Sequence, residues 1–236
     1  MLLFDAHSHL SVATSPDETS PGPRLHQVVC GTCESDWAAV LAHASGNGRI
    51  TPMLGLHPWF VAEAAPEWAE RLESLLRAHR VGLGECGLDF TRKETNKAAQ
   101  EAAFRTQLRL AHGLGRPVAM HVVRAWGCLL ELLREEGIPP AGAMVHAYSG
   151  SPETAQALQS MGVFLSFSGD LLAPDHTKVR ESMLSVDPSH LLLETDGTAD
   201  LARVIAAAAD LRGVSEGNLA EQTWENGYRC FLEWLA

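Results

Sequence analysis

Basic residues are scarce in this chain of 236 residues, which has 18 Lys and Arg side chains against 29 Asp and Glu, for a formal net charge of −11. Binding to duplex DNA without regard to sequence depends on many Lys and Arg contacts with phosphates. The composition therefore argues against a protein that coats DNA. It leaves open a protein that holds a few phosphates through metal ions, because two divalent cations add four positive charges to a site.

Cysteines and long apolar runs are also limited. The five cysteines are an odd number and provide no disulfide framework for a chain of this size. No apolar run approaches the ~20 residues that cross a bilayer, and the first residues lead directly into polar ones, which leaves no room for the core of a signal peptide. We therefore expect a cytoplasmic protein that is not bound to a membrane. No heptad pattern stands out, so we expect no obligate protein partner.

Short apolar segments alternate with longer helical patterns along the whole chain. The predicted strands are residues 2–6, 26–30, 51–56, 81–85, 117–121, 143–146, 163–167 and 190–194, and the predicted helices are residues 36–44, 67–77, 98–114, 125–136, 152–161, 177–184, 201–211 and 216–234. This alternation predicts an α/β protein with a parallel sheet. Eight strands and eight helices without a low-complexity linker predict one domain over residues 1–236, a (β/α)8 TIM-type barrel, regular or distorted. A doubly wound open sheet is the alternative, and residues 11–23 are predicted to form a loop.

Residue types that bind metals stand at the ends of five predicted strands. The first strand leads into His7 and His9, which alternation along an extended chain places on one side, about 6.6 Å apart. Two imidazoles at that spacing can converge on one metal ion. The ends of four other predicted strands carry Glu85, His121, His146 and Asp196. Because the carboxyl ends of the strands meet at one rim of such a barrel, where its active sites lie, the sequence predicts a metal site there.

Each of these residues also has an ordinary structural explanation when it is taken alone. A His-x-His pair often occurs by chance, Glu85 alone could cap a helix, and Asp196 alone could be an N-cap. The metal site rests on the co-occurrence of four histidines and two carboxylates at strand ends. The motif Cys30-Gly31-Thr32-Cys33 could be a redox pair, half of a zinc site or neither, and the sequence does not decide among these three interpretations. The chain has no second Cys-x-x-Cys pair that would complete a zinc site.

With this arrangement the sequence resembles the TatD-like DNase family of metal-dependent hydrolases, a branch of the amidohydrolase-like TIM barrels. Six segments carry the resemblance in the family's order: Phe4-Asp5-Ala6-His7-Ser8-His9-Leu10, Gly55-Leu56-His57-Pro58, Gly84-Glu85-Cys86-Gly87-Leu88-Asp89, Arg116-Pro117-Val118-Ala119-Met120-His121, His146-Ala147-Tyr148-Ser149-Gly150-Ser151 and Glu194-Thr195-Asp196. Residues 100–111 also resemble the family's helix before the fifth strand. Together the segments cover nearly the whole chain and are highly specific.

The resemblance implies a binuclear centre of two divalent metal ions, either Mg²⁺, Zn²⁺ or Mn²⁺. The implied ligands are His7, His9 and Asp196 for one ion and His121 and His146 for the other, with Glu85 bridging both. Asp196 is also the candidate general base, and His57 is a candidate contact of the scissile phosphate. Asp5, which shares a face with His7 and His9, is expected to orient a ligand from behind.

The implied activity is that of a deoxyribonuclease that cleaves phosphodiesters of DNA from single-stranded 3′ ends. One alternative is a hydrolase with the same metals that acts on another ester, amide or lactone, and another is a metal-stabilised scaffold with negligible turnover. Two departures from the family pattern concern the substrate. Asp196 is followed by Gly197 and Thr198 instead of Ala or Ser and then Pro, and the arginine expected two residues after the fifth strand's histidine is Val123, with Arg124 one step later as a candidate substrate contact.

Overall fold

The computed structural model describes residues 2–10, 24–92 and 96–235. Its strands are β1 (Leu2–Ser8), β2 (Arg24–Cys30), β3 (Ile50–Leu54), β4 (Gly82–Asp89), β5 (Val118–Val123), β6 (Ala143–Val145), β7 (Phe164–Phe167) and β8 (Leu191–Leu193). Its helices are α1 (Glu34–Ala44), α2 (Trp68–Ala78), α3 (Lys97–Leu114), α4 (Trp126–Glu136), α5 (Pro152–Ser160), α6 (Thr177–Ser185), α7 (Leu201–Arg212) and α8 (Glu216–Phe231). The predicted loop at 11–23 lies outside the described residues. Among the helices of the described ranges, none is both long and apolar enough to cross a membrane.

The eight strands form one parallel sheet in the order β1 to β8. Across the seam between β1 and β8, the backbone N–H of Asp196 donates to the carbonyl oxygen of His7 over 3.0 Å. The backbone N–H of Thr195 donates to Oδ1 of Asp5 over 2.8 Å. These bonds hold the carboxyl end of β8 against β1. The predicted barrel is therefore confirmed as a nearly closed barrel with one seam, and the sequential strand order excludes the doubly wound sheet.

Apolar side chains fill the inside of the barrel, and α8 covers its amino-terminal end. The buried inner residues include Phe4, Ala6, Val28, Met53, Ala119, Met144 and Leu192. The ring of Phe231 in α8 stacks on that of Phe4 with ring centres 6.3 Å apart. A Cβ at Gly227 would lie 2.4 Å from the Phe4 ring, so this close approach requires glycine. Because α8 packs against this end, the carboxyl ends of the strands form the rim with room for a cavity.

Two element bounds differ from the prediction by more than two residues. The fourth strand was expected to end at Glu85, but β4 continues to Asp89, which pairs with Val123 of β5. Gly84 and Gly87 suggest a turn in the sequence. In the barrel both lie against β5, where a Cβ at either position would meet backbone atoms of Ala119 or His121 within 3 Å. The last helix ends at Phe231 instead of residue 234 and is followed by the 3-10 helix Glu233–Leu235.

Candidate metal centre

The structure brings the six predicted metal ligands together at the carboxyl ends of the strands. His7 lies in β1, Glu85 in β4 and His121 in β5, and the other three follow β1, β6 and β8 directly or within a few residues. A cavity of about 480 Å³ is lined by five of the six, namely His9, Glu85, His121, His146 and Asp196. His7 lies behind its wall and is fully buried. The barrel rim therefore assembles residues that are far apart in the sequence.

The Glu85 carboxylate lies at the centre of the cluster and is almost completely buried. Its Oε2 lies 3.5 Å from Nε2 of His7 and 3.3 Å from Nε2 of His9. Its Oε1 lies 3.0 Å from Nδ1 of His121 and 2.9 Å from Nε2 of His146. The two oxygens thus face two different pairs of imidazoles, which is the arrangement that a bridging carboxylate needs.

Cys30 at the end of β2 contacts both His7 in β1 and His9 directly after it. Its carbonyl oxygen lies 3.1 Å from Nδ1 of His9, and its Sγ lies 3.4 Å from Nδ1 of His7. A carbonyl can only accept a hydrogen bond, so Nδ1 of His9 carries the proton and Nε2 keeps a lone pair directed at Glu85. The thiol, a weak acceptor, allows the same tautomer for His7. Second contacts of this kind fix the orientation of metal-binding histidines.

For His121 and His146, a carboxylate faces the ring nitrogen that points away from the centre. Oδ2 of Asp89 lies 3.2 Å from Nε2 of His121, which leaves the lone pair of this ring on Nδ1. Oε1 of Glu194 lies 3.5 Å from Nδ1 of His146, and Nε2 of that ring faces Glu85. All four predicted histidine ligands therefore present a ring nitrogen to the centre while the opposite nitrogen faces an acceptor.

His57 has the opposite orientation of donor and acceptor. The backbone N–H of Trp59 donates to Nδ1 of His57 over 3.1 Å, so the neutral ring carries its proton on Nε2. That nitrogen lies 3.3 Å from Oε1 of Glu85. His57, Glu85 and His121 are close enough together to surround an ion, but an Nε2 that carries a proton donates a hydrogen bond and has no lone pair for a metal. His57 is suited to binding an anion.

The carboxylates of the cluster are ionised, and its histidines differ in pKa. Burial raises the pKa of Glu85, but without a metal ion the charge of His146 and the hydrogen bonds that nearby histidines then donate outweigh it and hold the pKa well below its usual range. Burial lowers the pKa of His7, which favours its neutral form, whereas at His9, His121 and His146 the nearby carboxylates outweigh burial and raise the pKa, so metal binding there would displace a proton. Burial also raises the pKa of Asp196, yet the hydrogen bond with His9 gives a net lowering. Ionised carboxylates and neutral imidazoles are the forms in which these side chains bind metals.

Asp5 supports the site through Thr195, the residue before Asp196. Its carboxylate accepts hydrogen bonds from the backbone N–H and the hydroxyl of Thr195, over 2.8 and 2.7 Å, and from Nε2 of Gln27. Burial raises its pKa to about 7. Asp5 thus holds Thr195 in place. The next residue, Asp196, has a φ of 48°, which directs the chain away from β8. We assign Asp5 to the positioning of Asp196, one of the predicted ligands, in line with the expectation that it orients a ligand from behind.

The predicted substrate contact Arg124 lies away from this cavity. Its side chain is exposed, its φ is 55°, and it is not among the residues that line the cavity. Gly197 does lie beside the site, close to the backbone of His9. The five cysteines are all free thiols, and the Sγ of Cys33 contacts the hydroxyl of Ser35 at 3.0 Å. Cys30 and Cys33 therefore form no disulfide here.

Several residues of the site were given no role in the sequence analysis, namely Asp89, Glu194, Trp59 and the two buried glutamines of α3. Gln100 accepts from the backbone N–H of Asp89 over 2.8 Å and donates to the carbonyl of Pro58. Gln107 exchanges two hydrogen bonds with the backbone of Leu56. The signal for Asp89 was present, because it lies four residues after Glu85 and alternation puts both on one face of a strand. The glutamines gave no such signal, since their partners belong to other elements.

The barrel and the residues at its rim define an α/β enzyme of the metal-dependent hydrolase class. The profile of the TatD related DNase family matches residues 4–232. The chain therefore belongs to that family and is one of its metal-dependent hydrolases. It is 28% identical over 252 residues to YjjV of Escherichia coli K12, a metal-dependent hydrolase, with 97% of each chain covered.

Two further comparisons agree. The crystal structure of the Escherichia coli TatD homologue YjjV superposes with a TM-score of 0.83, at 27% identity over 87% of this chain and 86% of that one. The 3′-5′ ssDNA/RNA exonuclease TatD of Edwardsiella piscicida is 36% identical over 153 residues. That alignment covers 64% of this chain and 59% of the exonuclease.

Proposed function

We propose that this chain is a nuclease that hydrolyses phosphodiester bonds at 3′ ends of single-stranded DNA with two divalent metal ions. The observation that carries the proposal is the convergence of four imidazole ring nitrogens on the two oxygens of Glu85. His7 and His9 with Asp196 would hold one ion, and His121 with His146 would hold the other, while Glu85 bridges them. The exonuclease named among the relatives supports the choice of substrate.

The charge of the cavity supports the need for cations. Among the described residues, its lining includes three carboxylates, those of Asp36, Glu85 and Asp196, and neither Lys nor Arg. A phosphodiester bears a negative charge and would be repelled by such a wall unless cations compensate. Two bound divalent ions supply that compensation and polarise the phosphorus–oxygen bond. The imidazole-rich set suits Zn²⁺ better than Mg²⁺.

The chain's own groups divide the remaining work. The Asp196 side chain is about one-third exposed, at 35%, and lies 3.5 Å from Nε2 of His9, so its carboxylate can reach a water molecule at the cavity mouth. It accepts the proton of the attacking water as general base. Nε2–H of His57 donates to a phosphate oxygen and stabilises the charge that develops there. Asp89, Glu194 and Cys30 keep the histidine rings in place.

A direct assay tests the proposal. The protein is loaded with Zn²⁺, Mn²⁺ or Mg²⁺ and incubated with single-stranded DNA labelled at the 5′ end, beside the same DNA as a blunt duplex. The panel also holds simple phosphate esters, carboxylate esters and lactones. Glu85→Gln, purified in parallel, controls for contaminating nucleases. We expect a ladder of products shortened from the 3′ end of the single strand, and none with the variant.

Two results would overturn the proposal. Turnover of a carboxylate ester or lactone without turnover of DNA would assign the same centre to another hydrolysis. Metal bound at both sites with no turnover of any substrate would indicate a scaffold.

A further inference from the structure

Trp59 is a large aromatic side chain at the mouth of the cavity, and its indole is 43% exposed. It belongs to the 3-10 helix Pro58–Phe60 after β3 and lines the cavity that contains Glu85. It also lines a second, neighbouring cavity of about 290 Å³ together with Arg92. Arg92 is not among the residues that line the first cavity. The indole therefore forms a wall between the two, with Arg92 on the side away from Glu85.

The indole is held at both its edge and its face. Its Nε1–H donates to Oδ2 of Asp89 over 2.7 Å. The guanidinium carbon of Arg92 lies 4.3 Å from the ring centre, a distance at which a cation is attracted to the π face. The ring lies edge-to-face with that of His57, with ring centres 5.0 Å apart. An exposed tryptophan fixed in this way is preorganised, because little side-chain entropy remains to be lost when a ligand packs on it.

The chemistry of the cavity points to a ligand that is both anionic and flat. The phosphate part would be bound by the cations and by His57, and the apolar ring of Trp59 stands beside that position. Bases of nucleic acids stack on aromatic side chains whatever their sequence, because every base has a π face. Such stacking needs no long-range attraction, which a chain with a net charge of −11 cannot provide for DNA.

We propose that Trp59 is the stacking platform for the nucleobase next to the scissile phosphate, with Arg92 supporting its opposite face. The inference rests on the proposed nuclease function and specifies how that site distinguishes a nucleotide from a simple phosphate ester. Trp59 binds substrate and takes no part in proton transfer. Its contribution therefore falls on substrate affinity.

The test compares Trp59→Leu and Trp59→Phe with the wild type on two single-stranded oligonucleotides. One has a normal base at the 3′-terminal nucleotide, and the other has an abasic residue there. Trp234→Leu is the matched control, because the Trp234 ring also faces an arginine, Arg116 at 4.8 Å, and its Nε1–H also has an acceptor, the carbonyl of Phe231. Metal content is measured for every protein.

We expect Trp59→Leu to lower kcat/KM on the normal oligonucleotide roughly 5- to 100-fold, mainly through KM, and to leave the abasic substrate almost unchanged. Trp59→Phe keeps an aromatic face and should lose less, while Trp234→Leu should behave like the wild type. An equal loss on both substrates would show that Trp59 only supports His57 or Asp89, and would overturn the inference.

A binding measurement separates this inference from the proposed function. Calorimetry of the metal-loaded protein with thymidine 5′-monophosphate and with deoxyribose 5-phosphate requires no turnover. Tighter binding of the nucleotide that is lost in Trp59→Leu would support the platform even if no protein cleaved DNA. Equal binding of both ligands by the wild type would refute it, whether or not DNA is cleaved.

Discussion

The backbone N–H of Trp59 donates a hydrogen bond to Nδ1 of His57 over 3.1 Å. This contact places the ring proton on Nε2, the nitrogen that points at the centre of the site. In His121 the nitrogen that points away from the centre is Nε2, and it faces the Asp89 carboxylate, which can only accept. The ring proton of His121 is therefore on Nε2, and Nδ1 faces the centre without a proton. The two rings pack edge-to-face with centres 4.4 Å apart. Neighbouring histidines are thereby prepared for different tasks, one to donate and one to bind metal.

Replacing each of these histidines by glutamine should separate the two tasks. His57→Gln should retain metal at both sites and lose about 100-fold in turnover, because a donor to the phosphate is displaced. His121→Gln should lose at least about 10-fold in the affinity for one ion. Metal analysis combined with steady-state kinetics on one DNA substrate measures both effects. Loss of one metal equivalent from His57→Gln would make His57 a ligand.

Glu85→Gln should weaken both metal sites together. The substitution keeps the shape of the side chain but removes the charge that faces both pairs of histidines, so we expect the affinity for each ion to fall by at least about 100-fold. Competition with a chelator gives the two affinities. Glu34→Gln, which affects an ion pair with Arg71 outside the cavity, is the matched control. Two full equivalents in Glu85→Gln, with normal turnover, would contradict the bridging role.

Asp196→Asn should damage the rate more than the fold. Loss of a general base costs about 10²–10⁴ in rate, whereas the volume of this partly exposed side chain hardly changes, so we expect Tm to shift by no more than about 2 °C. Higher pH should restore part of the rate, since hydroxide can replace the base but not the charge of the ligand. The measurement is kcat against pH for both proteins with their metal content determined. Nearly equal rates would remove Asp196 from the mechanism.

Cys30 should tune the ion beside His7 through its thiol. Cys30→Ala removes the contact with Nδ1 of His7 but keeps the carbonyl that holds His9, and we expect a roughly 10-fold loss of metal affinity. Cys30→Ser retains an acceptor and should lose less. Titration with Zn²⁺ against a chelator checks the order of the three proteins. An affinity for Cys30→Ala equal to that of the wild type would limit the residue to packing.

His26, at the amino-terminal end of the barrel, should make stability depend on pH. Burial against Phe4 and Thr51 lowers its pKa to about 4, below the usual 6.5. The unfolded state therefore takes up a proton at a higher pH than the folded state. The stabilisation is complete above pH 6.5 and falls as the pH decreases towards 4, by up to about 3 kcal/mol in the free energy of unfolding.

The check is urea unfolding of metal-free wild type and His26→Gln between pH 4 and 7. All other titrating groups are shared, so the difference between the two proteins isolates His26. The wild type should lose more stability on acidification than the variant. Parallel pH profiles would show that His26 titrates equally in both states.

The predictable part of this protein follows from local periodicity. Alternation of short apolar segments with amphipathic ones predicts the strands and helices, and a parallel barrel brings all carboxyl ends of its strands to one rim. His7, Glu85 and His121 stand at or near those ends, so the sequence alone indicates that they share a site. The length of β4 was not predictable in this way, because Gly84 and Gly87 are typical of turns and only their close contacts with β5 explain them.

Only the tertiary structure decided which atom of each side chain faces the centre. The acceptor behind His7 is Cys30, 23 residues away, the acceptor behind His121 is Asp89, 32 residues away, and Asp5 holds Thr195 from 190 residues away. Sequence spacing encodes which side of a strand a residue occupies. A hydrogen bond between strands also depends on their register and on the closure of the barrel, which arise from the packing of the whole chain.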